Sequence, residues 1–148
     1  MPELDFMCVA DYVRAENGVL HMIAAGFDTI YAQAVPSVRQ IGLGMRLLLT
    51  AAETGHEHPV ELIFQNPDGR RLAQINALIP AQPIPPAVRP GRAMGAVLAF
   101  NIQLPLPSYG DFSFELLIHG NRAKSIPIIV SPPMVQPGGF QVGLPGNA

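Results

Sequence analysis

From Met94 to Leu104 every second residue is apolar: Met94, Ala96, Leu98, Phe100, Ile102 and Leu104. Successive side chains of a strand point to opposite faces, so a period of two predicts an extended segment with one greasy side. Phe112, Phe114, Leu116 and Ile118 repeat the pattern, as do Val60, Leu62 and Phe64. Turn signals separate these runs. Asn66-Pro67-Asp68-Gly69 fits a type I turn, Asn17-Gly18 supplies the positive φ angles of a tight hairpin, and His119-Gly120-Asn121 closes another. Alternating runs joined by turns, with no convincing helical period between them, predict an antiparallel all-β domain.

The remaining segments are placed around those anchors. Leu4 to Val13 reads as a first strand and Val19 to Tyr31 as a long second one, bulged or bent at Gly26. Ala34 to Gln40 is expected to be a loop. Ile41 to Thr50 alternates well enough for a strand, although Met45 to Glu53 is rich in helix formers and a helical turn is expected towards Ala52. Leu72 to Ile79 partners Val60 to Gln65. Prolines from Pro80 to Pro90 take the chain out of the sheet, since proline cannot donate a ladder hydrogen bond. Ile126 to Val130 forms the last strand, with Pro127 favouring an edge. The count is seven or eight strands in a two-layer antiparallel β-sandwich spanning residues 1–132, with a jelly roll or an open barrel as alternatives. Residues 133–148, rich in Gly and Pro and without a charged side chain, read as a flexible tail, or alternatively as a docking strand.

Composition narrows the role. With 9 Lys and Arg against 11 Asp and Glu, the formal charge of -2 gives no field for holding a polyanion, so nucleic acid is not expected as a partner. Charged residues are 14% of the chain and hydrophobic ones 49%, a surplus that predicts a protein partner or a homo-oligomer. The longest apolar neighbourhood, Val19 to Val38, is interrupted by His21, Asp28, Gln33 and Pro36, so no membrane-spanning helix is expected. A single cysteine, Cys8, excludes an internal disulfide and fits a reducing cytoplasm. The first residues lack the basic and apolar regions of a secretory signal.

Two sets of residues carry a likeness to known proteins. Asp11-Tyr12-Val13, Asn17-Gly18 and Gly26-Phe27-Asp28 form one, and Phe100-Asn101-Ile102, Leu104-Pro105 and Phe112-Ser113-Phe114 the other. The chain to Val130 resembles an uncharacterised family of small bacterial domains, which implies an immunoglobulin-like β-sandwich. The shared residues are turn and core positions, so the likeness carries over no catalytic residue.

His56-Glu57-His58, with Glu53 nearby, is the one cluster of metal-ligand types in the sequence. It lacks a third histidine or cysteine at a useful spacing, so it reads as a solvated turn, and no metal or other cofactor is expected. His21 and His119 lie in or beside strands and read as structural. No Gly-x-Ser-x-Gly elbow, phosphate-binding loop or dinucleotide fingerprint is present, and Cys8 has no base within its own strand. Arg70-Arg71 reads as a solvated rim, while Arg89 and Arg92 flank the proline crossover.

These readings give a non-enzymatic interaction or assembly module, self-associating through apolar strand faces or a sheet edge. The alternative is a small-ligand or metal-binding sandwich with a pocket at one end, built from Pro80 to Arg92, Ala51 to His58 and Pro105 to Gly110.

Overall fold

A computed structural model describes residues 1–86 and 88–134 of the chain. These residues form ten strands and one short helix: β1 (Glu3–Ala10), β2 (Tyr12–Glu16), β3 (Val19–Ile23), β4 (Thr29–Tyr31), β5 (Ser37–Leu49), α1 (Ala51–Thr54), β6 (His58–Gln65), β7 (Arg71–Ile79), β8 (Met94–Leu106), β9 (Gly110–Ile118) and β10 (Asn121–Ser131). The strands build three sheets, ordered β1-β5-β8, β4-β10-β9-β6-β7 and β2-β3. One sheet curls into a half-barrel.

The period-two runs behave as the pattern requires. Phe112, Phe114, Leu116 and Ile118 of β9 all turn inward, as do Val60, Leu62 and Phe64 of β6. They meet Ile41, Leu43, Met45, Leu47 and Leu49 of β5 and Ala96, Leu104 and Leu106 of β8 in two apolar clusters. Phe64 stacks on Phe112 with ring centroids 5.3 Å apart and tilts against Phe114 at 5.0 Å. Each such side chain, fully removed from water, stabilises the fold by about 1.5–3 kcal/mol.

The apolar surplus has a specific structural outlet. Gly42 and Gly44 point to the face of β5 opposite the core, and the β2-β3 hairpin lies on that face. A Cβ at Gly42 would stand 2.9 Å from the Val13 nitrogen, and one at Gly44 would stand 2.9 Å from the Met22 sulfur. The hairpin backbone therefore sits where side chains would otherwise be. Asn101, the cross-strand neighbour of Gly42, clamps it: Val13 N–H donates to Asn101 Oδ1 at 3.1 Å, and Asn101 Nδ2 donates to the Val13 carbonyl at 2.7 Å. Val9 and Ala10, on opposite faces of β1, are both buried as a result.

Several expectations need correction. The first predicted strand breaks at Asp11, so that β1 and β2 lie in different sheets. The second breaks as well: Ala24 and Gly26 adopt positive φ, which ends β3 and sends the chain to β4. These two breaks raise the count from seven or eight strands to ten. The expected loop from Ala34 to Gln40 is half strand, because Ser37 to Gln40 pair with β8. Pairing is not purely antiparallel, since β4 runs parallel to β10 over Ile129–Ser131. β10 lies between β4 and β9 and so is not an outer strand, but among the described residues β4 pairs with it only over Ile129–Ser131, short of Pro127. The helical turn near Ala52 is present as α1. Of the predicted tail, residues 135–148 lie outside the described part of the chain.

Candidate functional site

The hairpin β9-β10 turns on His119 and Gly120, both at positive φ, as a two-residue type I′ turn demands. This lifts His119 over the start of β6, where its N–H donates to the Pro59 carbonyl at 3.1 Å. Its ring meets His58, with centroids 5.1 Å apart and planes at 83°. His58 is 5% exposed and lies inside β6, so it is part of the folded body and not of a solvated turn.

Both nitrogens of His58 are engaged. Nε2 stands 2.7 Å from the Glu53 carbonyl oxygen, and Nδ1 stands 2.8 Å from Nε2 of His119. A carbonyl only accepts, so Nε2 of His58 carries a proton and donates it there. The carboxylate of Glu53 is also committed. It accepts from the Thr50 N–H at 2.8 Å and pairs with the ammonium group of Met1. Hydrogen bonding from that ammonium, and then from Thr50, holds the Glu53 carboxyl down to about 2. His56 is exposed. Glu53, His56 and His58 thus crowd one turn of chain without aiming at a common point, and no group of three or more His, Cys, Asp or Glu suited to a metal occurs among the described residues.

The other sequence candidates are dispersed. His21 is exposed on β3, half-buried Cys8 lies opposite Gly44, and Asp28 accepts from the Thr29 hydroxyl at 2.9 Å. The three loops proposed to frame one pocket do not converge. Gln82 N–H donates to the Thr54 carbonyl at 2.7 Å, so the proline crossover does meet Ala51 to His58. Pro105 to Gly110 is at the other end of the molecule, because β5 and β8 pair along 13 residues from Leu49-Met94 to Ser37-Leu106.

Three features escaped the sequence. On the outer face of the five-stranded sheet, Glu115 is 4% exposed, and its Oε1 accepts from Ser125 Oγ at 2.8 Å, Ser113 Oγ at 3.1 Å and Gln65 Nε2 at 3.4 Å. Arg122 Nε stands 2.6 Å from Oε2, brought onto that face by a bulge between Arg122 and Lys124. Beside this network lies an open depression of about 580 Å³ lined by Pro59, Glu61, Gln74, Asn76 and Leu78. At the end of the molecule holding Ser37 and Leu106, an almost wholly apolar depression of about 290 Å³ is lined by Pro36, Ser37, Val38, Pro105, Leu106 and Pro107. Val38, 65% exposed, stands directly across from Pro105.

The model of a family of unknown function, DUF6941, matches residues 5–131. The chain belongs to that family. A β-glucuronidase from glycoside hydrolase family 2 is similar in structure at a TM-score of 0.36 and 15% identity, over 82% of this chain. The likeness spans 11% of that enzyme's length. No curated protein matches the sequence. No helix among the described residues is long and apolar enough to cross a membrane.

Proposed function

We propose that this DUF6941 chain is a non-enzymatic assembly module that associates with a second copy of itself through the Pro36–Val38 and Pro105–Pro107 end. The supporting observation is the exposed Val38 set among prolines. No lining residue of that depression is charged, so its natural complement is another uncharged surface, which a two-fold axis supplies from the identical patch. Prolines make it stiff, so little conformational entropy is lost when it is covered. The architecture we favour is a two-layer, immunoglobulin-like sandwich, in keeping with the clusters shared by the two larger sheets. An unpaired Cys8 fits the cytoplasm of a bacterial cell. Sedimentation of the wild type and of Val38→Glu tests the reading. The wild type should form a dimer whose dissociation constant rises at least ten-fold in the variant, and a wild type monomeric at high micromolar concentration would overturn the proposal.

A second reading, small-ligand binding, draws support from the depression at Glu61, Gln74 and Asn76. Its volume lies within the range of ligand pockets, and three polar side chains converge on it. Under this reading a compound should raise the melting temperature of the wild type but not of Asn76→Ala.

A further inference from the structure

In the open depression on the outer face of the five-stranded sheet, Glu61 and Asn76 are arranged around a single donor nitrogen. Gln74 Nε2 donates to Asn76 Oδ1 at 2.9 Å and to Glu61 Oε2 at 3.3 Å, while Gln74 Oε1 accepts from Arg71 Nη1 at 2.9 Å. Two acceptors, one of them ionised, thus converge on a neutral amide group. Glu61 and Asn76 are cross-strand partners, so the register of β6 and β7 builds this convergence.

The carboxylate lacks a cation. Among the described residues Glu61 forms no ion pair, and residues 87 and 135–148 contain no Lys, Arg or His that could supply one. Arg71 is spent on Gln74, and Arg122, which lies across Leu117 from Glu61, is held at 2.6 Å by Glu115. Glu61 is half-buried, so solvent ions screen its charge less than that of a fully exposed group.

Beside this polar end the depression turns apolar. Pro59 and Leu78 form the next cross-strand pair on the same face, and both are exposed. Two residues along a strand span about 7 Å, the reach of a short alkyl chain. An ammonium group brings three N–H donors and a charge, and a hydrogen bond between ionised partners is stronger than the neutral one that Gln74 offers. The alkyl stem behind it would lie on Pro59 and Leu78, as the stem of a lysine lies on apolar surface. An anion would instead be repelled by Glu61.

We propose that this depression binds a small primary alkyl amine, its ammonium group between Glu61 and Asn76 and its chain along Pro59 and Leu78. The proposal rests on the small-ligand reading above and names the ligand class. Titration of isotope-labelled protein at neutral pH with pentylamine, 1-pentanol and pentanoate, followed by amide resonances, tests it. Pentylamine should shift the amides of Glu61, Asn76 and Leu78, and should bind Glu61→Gln about ten-fold more weakly, since that variant keeps the shape and loses the charge. 1-Pentanol should bind weakly and equally to both proteins, and pentanoate should leave these amides unmoved. Pentanol or pentanoate bound there as tightly as the amine would overturn the amine assignment and leave the small-ligand reading standing. Amine binding undiminished in Glu61→Gln, or no shift at these amides, would overturn it too, while the thermal comparison with Asn76→Ala judges the broader reading separately.

Discussion

Glu53 shows how much one side chain can be asked to do. Its carboxylate caps the start of α1 through the Thr50 N–H and holds the Met1 ammonium, while its backbone carbonyl anchors the buried His58 ring. Because its folded-state value, about 2, lies below the ordinary 4.5, Glu53 stabilises the fold fully above pH 4.5. That contribution is lost as pH falls from 4.5 towards 2. Melting temperatures of the wild type and of Glu53→Gln should therefore differ most near pH 6, draw together below pH 4.5 and converge near pH 2. Curves that stay parallel from pH 6 to pH 2 would show that the carboxylate is not held in this way. The neighbouring histidines teach a related lesson. His56-Glu57-His58 has the look of a ligand set, yet His56 lies exposed in the turn before β6 while His58 is buried at its first position, and the partner that matters for His58 is His119, 61 residues away.

At the scale of elements, the β2-β3 hairpin depends on residues remote from it in sequence. Gly42 and Gly44 leave the space and Asn101 supplies the polar partner for Val13. Replacing Asn101 with leucine leaves a buried N–H and C=O without their partners, at a cost of about 1–3 kcal/mol. Denaturant unfolding should show that loss, and the amides of Tyr12–Glu16 and Val19–Ile23 should exchange faster while those of β9 do not. A variant with unaltered exchange in the hairpin would mean that Asn101 is not the clamp. The spacing Gly42-Leu43-Gly44 was visible in the sequence, but its meaning was not, because an isolated pair of glycines does not reveal which element lies across them. The strand break at Asp11 was hidden because apolar residues continue on both sides of it, whereas Gly26 did mark a bulge or bend where the second strand in fact ends.

For the whole molecule, the two apolar clusters share Met7 and Phe100, which pack against both. Neither cluster can open without exposing part of the other, so the described body should unfold in one transition. Calorimetric and van't Hoff enthalpies should agree, and two resolved heat-absorption peaks would contradict a common core. Local sequence determined the strands of the period-two runs, the hairpin turns at Asn17-Gly18, Asn66–Gly69 and His119-Gly120, the all-β class and the exit of the chain at Pro80. These depend on backbone sterics and on which side of a strand each residue faces, both written in neighbouring residues. Only the tertiary structure decided that β1 and β2 part company, that His58 meets His119, that Glu115 lies beneath Arg122, and that β7 and β8 stop short of pairing. Such relations arise from contacts across tens of residues, and a chain's local pattern fixes the faces of its strands without fixing what each face will meet.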